Sequence, residues 1–122
     1  MTAPLPADPA TVPPARADEI RALFGRLRAG MHVVLSTHIN ADGDGCGSQA
    51  ALARLLVERG MRCTIVNPTP WPDMFRFLLG DDVQEASAQG TAALRRADAL
   101  IVLDISDMKR LGTLADTARA LT

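Results

Sequence analysis

Short apolar runs, each bounded by polar or glycine-rich sequence, are the first pattern along the chain. They are rich in β-branched residues, which is typical of strands buried on both faces of a parallel sheet. Three are well defined, at residues 31–36, 61–66 and 99–103, and a weaker one covers residues 83–86. The pattern therefore predicts three buried strands and a minor fourth.

Apolar residues spaced three and four apart fill the segments between these strands, and this is the helical period. We predict a first helix that Asp18 caps and Gly30 ends, followed by helices at residues 48–59, 74–79, 91–97 and 111–121. Strands that alternate with helices imply βαβ units. The expected fold class is α/β: a three-layer, mainly parallel sheet with helices on both faces.

Composition and charge narrow this picture. The chain has 122 residues, 48% of them hydrophobic, which is enough for one domain with a genuine core. Five prolines fall in the first fourteen residues, so we expect residues 1–16 to be a disordered tail and residues 17–122 to form the domain. The net charge is −1 and no basic stripe contains aromatic residues. We therefore expect no dedicated nucleic-acid-coating surface, whereas a bound nucleotide or short oligonucleotide is compatible with the sequence.

Targeting signals are missing from the sequence. It contains no run of eighteen apolar residues, so we expect no membrane span. The N-terminal segment lacks the charged and apolar regions of a signal peptide. Cys46 and Cys63 form neither a CxxC motif nor a disulfide-rich pattern. We therefore expect a cytoplasmic protein that does not engage a membrane.

One polar, glycine-rich loop concentrates groups that bind cations. His38, Asp42 and Asp44 follow the first predicted strand, and Asp104 directly follows the last one. Ligands gather at the carboxyl ends of parallel strands, so these groups would share a crevice if the two strands are neighbours. Imidazole and carboxylate ligands suit Mn²⁺ or Mg²⁺, and a cation would relieve the repulsion between the carboxylates. The sequence predicts a divalent-metal site, although Asp-Gly pairs also occur in ordinary turns.

Other glycine- and aspartate-rich motifs fit this loop less well. A calcium-binding EF-hand loop requires Glu where Ala51 stands, and it follows a helix instead of a strand. The glycines miss the spacing of the dinucleotide fingerprint, with Ser48 in place of its third glycine, and the lysine of a P-loop is absent. An aspartyl-phosphate phosphatase, with Asp42 as nucleophile and Asp44 as acid, is a lower alternative, because its nucleophile is expected directly at the strand end.

Two polar, glycine-containing segments follow the first and last predicted strands: His38-x-Asn40-x-Asp42-Gly43-Asp44-x-x-Gly47-Ser48 and Asp104-x-Ser106-Asp107-x-x-Arg110-Leu111-Gly112. They resemble the motifs of the DHH family of phosphoesterases, and within it the branch of bifunctional oligoribonucleases and 3′-phosphoadenosine-5′-phosphate phosphatases. The resemblance implies two Mn²⁺ ions, with Mg²⁺ as the alternative. In that arrangement His38 and Asp42 bind one ion, Asp44 binds the other, and Asp104 bridges both.

The activity implied by this resemblance is hydrolysis of phosphate esters in short oligoribonucleotides or in 3′-phosphoadenosine 5′-phosphate. The Asp-His-His sequence that the family carries downstream of Arg110 is not among the 122 residues. We therefore expect the N-terminal part of such a domain, weakly active or inactive alone, which self-associates through an incomplete sheet. The alternative is a non-enzymatic metal-binding module, either a relic or a half-site that another polypeptide completes.

Overall fold

A single parallel sheet organises the chain. The structure, a computed structural model, describes residues 11–121. Its strands are β1 (His32–Ser36), β2 (Arg62–Ile65), β3 (Val83–Glu85) and β4 (Ala99–Val102). They lie in the order β3-β2-β1-β4, and every neighbouring pair is parallel. The predicted α/β class is confirmed, and each predicted strand is present with ends that agree to within one residue.

Helices of two kinds connect the strands. The α-helices are α1 (Pro14–Phe24), α2 (Gly43–Glu58), α3 (Thr91–Leu94) and α4 (Ala115–Ala120), and the 3₁₀ helices are Asp73–Leu78, Ser87–Gln89 and Met108–Leu114. Across residues 11–121, every helix is too short or too polar to cross a membrane.

The alternation of side chains along β1 divides the core into two layers. Val33 and Leu35 belong to a cluster on one face of the sheet that includes Leu56 of α2. Val34 points to the opposite face, where it joins a cluster that includes Leu111. Successive side chains of a strand face opposite sides, so helical segments cover both faces, as the three-layer architecture requires.

The first helix differs from its prediction at both ends. α1 begins at Pro14, which lies inside the predicted tail and ahead of the predicted cap, Asp18. Proline is accepted in the first helical turn because the N–H that it lacks would have no partner there. The helix ends at Phe24 instead of near Gly30, since the next residue is a glycine, which disfavours helix. Residues 1–10 of the predicted tail lie outside the described residues.

The second helix begins at Gly43, whereas the sequence predicted a start at Ser48. Asp42 explains the difference, because its side chain accepts a hydrogen bond from the backbone N–H of Gly45 at 3.0 Å. Such an N-cap supplies one of the donors at a helix start with a partner. The glycine-rich segment therefore forms the first turns of α2, and the predicted loop is shorter than expected.

The final predicted helix, residues 111–121, is interrupted at Gly112. This residue has a φ of 55° and breaks the helical backbone inside the 3₁₀ segment Met108–Leu114, three residues before α4 begins at Ala115. A Cβ at this position would lie 3.0 Å from side-chain atoms of Ile39. Glycine meets both demands, since it adopts positive φ without penalty and permits the close approach. Two shorter helices were also predicted. The helix at residues 74–79 corresponds to the 3₁₀ helix Asp73–Leu78, and the helix predicted at residues 91–97 ends earlier, at Leu94.

A buried amide pair fastens α2 to the end of β2. The side chain of Gln49 donates to Oδ1 of Asn67 at 2.7 Å, and Asn67 donates back to Oε1 of Gln49 at 3.3 Å. Both residues are buried, and each amide satisfies the other, as a buried polar group requires. The pair fixes the position of α2 along the sheet.

The chain leaves β1 and β4 in opposite directions. α2 follows β1 and packs on one face, while the segment after β4 contributes Leu111 and Leu114 to the other face. In doubly wound sheets this divergence opens a crevice beyond the carboxyl ends of the two strands. β4 is also an edge strand whose four residues are each only half-buried.

Candidate metal centre

The carboxyl ends of β1 and β4 are adjacent because these strands pair in parallel. Ser36 aligns with Val102, and the backbone N–H of Leu103 donates to the Ser36 carbonyl at 2.9 Å. His38 and Asp104 each follow the last residue of their strand by two positions. The two strands whose ends carry the predicted ligands are therefore neighbours, and His38 and Asp104 lie in one crevice.

Three of the predicted site residues meet in this crevice. Nε2 of His38 lies 3.5 Å from Oδ2 of Asp42 and 3.5 Å from Oδ2 of Asp104. One nitrogen or oxygen atom from each of the three residues lies within 4.8 Å of the others. The His38 side chain is 7% exposed, whereas those of Asp42 and Asp104 are 58% and 40% exposed. We refer to His38, Asp42 and Asp104 as the HDD group; it has a buried imidazole and two carboxylates that reach solvent.

A hydrogen bond to the backbone fixes the orientation of the His38 ring. Its Nδ1 lies 2.7 Å from the carbonyl oxygen of Ile39. A carbonyl oxygen accepts only, so Nδ1 carries the hydrogen and donates it. The other ring nitrogen, Nε2, is the one that faces the two carboxylates. Histidines that bind metals are held in the same way, by a hydrogen bond from the second ring nitrogen to a carbonyl or carboxylate.

The two oxygens of Asp42 have separate partners. Oδ1 accepts the hydrogen bond from Gly45 that caps α2, while Oδ2 faces His38. The backbone hydrogen bond from Gly45 is the main cause of a pKa lower than the usual value for this carboxyl group, and the nearby His38 also lowers it. Asp42 is therefore ionised at neutral pH while one of its oxygens is available to a cation.

Two residues of these loops adopt an uncommon backbone conformation. Asn40 has a φ of 53° and Asp104 a φ of 58°, and they are the non-glycine residues with positive φ among residues 11–121. Aspartate and asparagine tolerate this left-handed region better than most residues, but it remains costly and it concentrates at functional sites. The backbone N–H of Asn40 donates to Oγ1 of Thr69 at 2.8 Å, which anchors the turn. The strain supports a role for these loops beyond simple connection.

The fourth predicted ligand, Asp44, is not part of the HDD group. It is exposed in the first turn of α2. Residues two apart on a helix do not face each other, and Asp44 stands two positions after the capping residue. An acidic side chain in a first turn also interacts favourably with the helix dipole. Its predicted role as a metal ligand stays a prediction.

Two residues that support the HDD group were not identified from the sequence. Ile39 contributes its carbonyl oxygen, and no sequence pattern marks a backbone acceptor. Thr37 is fully buried, and its hydroxyl donates to the carbonyl oxygen of Leu103 at 2.9 Å. Its position directly before His38 was the available clue, but the contact depends on the strand order.

The donors of the HDD group fit a divalent cation of the Mn²⁺ or Mg²⁺ class. One imidazole nitrogen and two carboxylate oxygens are suitable ligands for such ions. The negative charges of Asp42 and Asp104 face the same point, and a cation there would neutralise their repulsion. Cys46 and Cys63 are buried in the core and contribute no thiolate. The second histidine, His32, lies at the opposite end of the sheet.

Comparison with known proteins identifies a similar fold. Neither a protein-family model nor a curated protein sequence matches the chain. The structure resembles the crystal structure of an exopolyphosphatase-related protein from Bacteroides fragilis, with a TM-score of 0.71 and 23% sequence identity. The match covers 91% of this chain and 33% of that one, so this chain spans about a third of the length of that protein. At this identity the similarity establishes the fold alone: an α/β architecture shared with that protein.

Proposed function

We propose that this chain forms the cation-binding part of a phosphoesterase active site of the DHH type. The observation that carries the proposal is the HDD group, in which Nε2 of His38 lies 3.5 Å from a carboxylate oxygen of both Asp42 and Asp104. These residues come from the two segments that resemble the family's motifs. The fold shared with an exopolyphosphatase-related protein supports the same assignment.

The residues of the HDD group have distinct tasks in this proposal. His38 presents Nε2, Asp104 presents a carboxylate from the neighbouring strand end, and Asp42 stays ionised because Gly45 donates to it. We assign Asp44 to a second ion that Asp104 shares. When bound, Mn²⁺ or Mg²⁺ neutralises charge on a phosphoryl group and lowers the pKa of a water molecule. The chain itself contributes the fixed positions of the donors, and such positioning accounts for much of the rate in phosphate-ester hydrolysis.

The proposed substrates are short oligoribonucleotides or 3′-phosphoadenosine 5′-phosphate. This choice rests on the motif resemblance. Polyphosphate should be assayed beside these substrates, because the protein with the similar fold is described as exopolyphosphatase-related. The chain spans a third of the length of that relative, so we propose that residues outside it complete substrate binding and that it turns over slowly by itself. The proposed location is the cytoplasm.

Calorimetric titration with Mn²⁺ tests the cation site directly. The two histidines provide a matched pair of variants, since His38 belongs to the HDD group while His32 lies at the other end of β1. We expect the wild-type chain and His32→Ala to bind Mn²⁺ alike. We expect His38→Ala and Asp104→Asn to lose the binding. A wild-type chain that binds no Mn²⁺ would refute the proposal.

A second candidate, a non-enzymatic metal-binding module, is favoured by the position of Asp44 outside the HDD group. Turnover separates the two candidates. Release of phosphate or mononucleotide from the proposed substrates in the presence of Mn²⁺, lost in Asp104→Asn, supports the phosphoesterase. Mn²⁺ binding without turnover at high protein concentration supports the module.

A further inference from the structure

Thr37 lies between the two strand ends that carry the HDD group. It is fully buried and directly precedes His38. Its Oγ1 donates to the carbonyl oxygen of Leu103 at 2.9 Å, and Leu103 directly precedes Asp104. One hydroxyl therefore joins the residue before His38 to the residue before Asp104, across a sequence separation of 66 residues.

The same side chain limits how closely α2 approaches β1. A Cβ at Gly45 would lie 2.8 Å from Oγ1 of Thr37 and 3.2 Å from its Cγ2. The first turn of α2 thus rests directly on Thr37, at a distance that only glycine permits. The backbone N–H of Gly45 is also the donor that holds Asp42. Thr37 is consequently adjacent to His38 in the sequence and in contact with Leu103, which precedes Asp104, and with Gly45, which donates to Asp42.

We propose that Thr37 is a positioning residue, whose hydroxyl sets the separation at which His38, Asp42 and Asp104 face one another. The geometric part of this inference stands on the contacts of Thr37 alone, and its consequence for cation binding rests on the proposed function. A threonine hydroxyl can donate to a carbonyl, whereas a valine has the same shape and cannot. Valine would leave the Leu103 carbonyl without this donor, and the two strand ends would lose this side-chain link, while the backbone hydrogen bond from Leu103 to Ser36 remains.

Three variants separate this role from a general effect on stability. Thr37→Val removes the hydroxyl, and Thr37→Ser restores it in a smaller side chain. Thr64→Val is the matched control, because Thr64 of β2 is also a buried threonine whose hydroxyl has one polar side-chain partner, with its Oγ1 2.7 Å from Nε2 of His32. That contact involves His32 at the start of β1, whereas the HDD group lies beyond the end of this strand.

Two measurements apply to each variant: Mn²⁺ affinity by calorimetry, and hydrogen exchange of the Gly45 and Leu103 amides in the metal-free protein. We expect Thr37→Val to weaken Mn²⁺ binding by about 10- to 100-fold, as loss of groups that orient metal ligands does. We expect the Gly45 and Leu103 amides to exchange faster in this variant. Thr37→Ser and Thr64→Val should match the wild type at both amides and in Mn²⁺ affinity.

The two claims fail in different ways. If the wild type binds no Mn²⁺ but Thr37→Val accelerates exchange at Gly45 and Leu103, the proposed function is wrong and the positioning role stands. If exchange at these two amides is the same in Thr37→Val and Thr64→Val, the positioning role is overturned, whatever the Mn²⁺ affinities are.

Discussion

Replacing Gly45 by alanine tests the close contact between α2 and the end of β1. The new Cβ would lie 2.8 Å from Oγ1 of Thr37, which is fully buried and bonded to Leu103, so Thr37 cannot move aside freely. Overpacking of this kind costs about 1–3 kcal/mol. Alanine recovers about 0.5–1 kcal/mol because it favours helix over glycine. We therefore expect Gly45→Ala to lower the free energy of unfolding by about 1 kcal/mol net.

Gly47 supplies the matched control for this prediction. It lies in the same helix, and a Cβ built on it meets no atom within 4 Å. Gly47→Ala should therefore raise the free energy of unfolding by about 0.5–1 kcal/mol. The helix term cancels between the two variants, so their difference isolates the overpacking cost of about 1–3 kcal/mol. Urea unfolding followed by circular dichroism measures both values, and equal stabilities of the two variants would refute the reasoning.

Four further predictions concern the cap, its acid dependence, the thiols and the sheet edge. Asp42→Ala should unfold at a lower temperature than Asp42→Asn, because asparagine also caps helices. The pKa of Asp42 is lower in the folded chain than in the unfolded chain, so its carboxylate stabilises the fold above the unfolded pKa. This stabilisation is lost as the pH falls through the folded pKa. Asp42→Asn should therefore weaken the dependence of urea unfolding on acid pH. Burial raises the pKa values of Cys46 and Cys63 to about 11, so a disulfide reagent should label them slowly in the native chain at pH 8 and rapidly in urea; fast native labelling would contradict the burial. The half-buried edge strand β4 should cause self-association in sedimentation experiments, and Leu100→Lys should reduce it; a monomeric wild type would count against this.

The strands could be predicted from the sequence because local pattern and burial agree in them. β1 is fully buried at Val33, Val34 and Leu35, so an uninterrupted apolar run marks it. The start of α2 could not be predicted in the same way. Its first turns contain glycines, which disfavour helix, and the cap at Asp42 together with the contact between Gly45 and Thr37 accounts for their presence.

The candidate ligands could be identified from the sequence, but their proximity in space could not be established from it. His38 and Asp104 come together because β1 and β4 are neighbours, although β2 and β3 lie between them along the chain. Local pattern carries no information about strand order. The separation of Asp44 from the HDD group had a similar cause, since it depends on where α2 begins, and the sequence placed that start too late.

The central claim is that His38, Asp42 and Asp104 form one cation site, and paramagnetic broadening by Mn²⁺ tests it most directly. In a ¹⁵N–¹H spectrum of the chain, a small fraction of an equivalent of Mn²⁺ should remove the amide signals of these three residues first. The signal of His32, at the other end of β1, should persist. Uniform broadening across the spectrum, or loss centred on another acidic segment, would contradict the account.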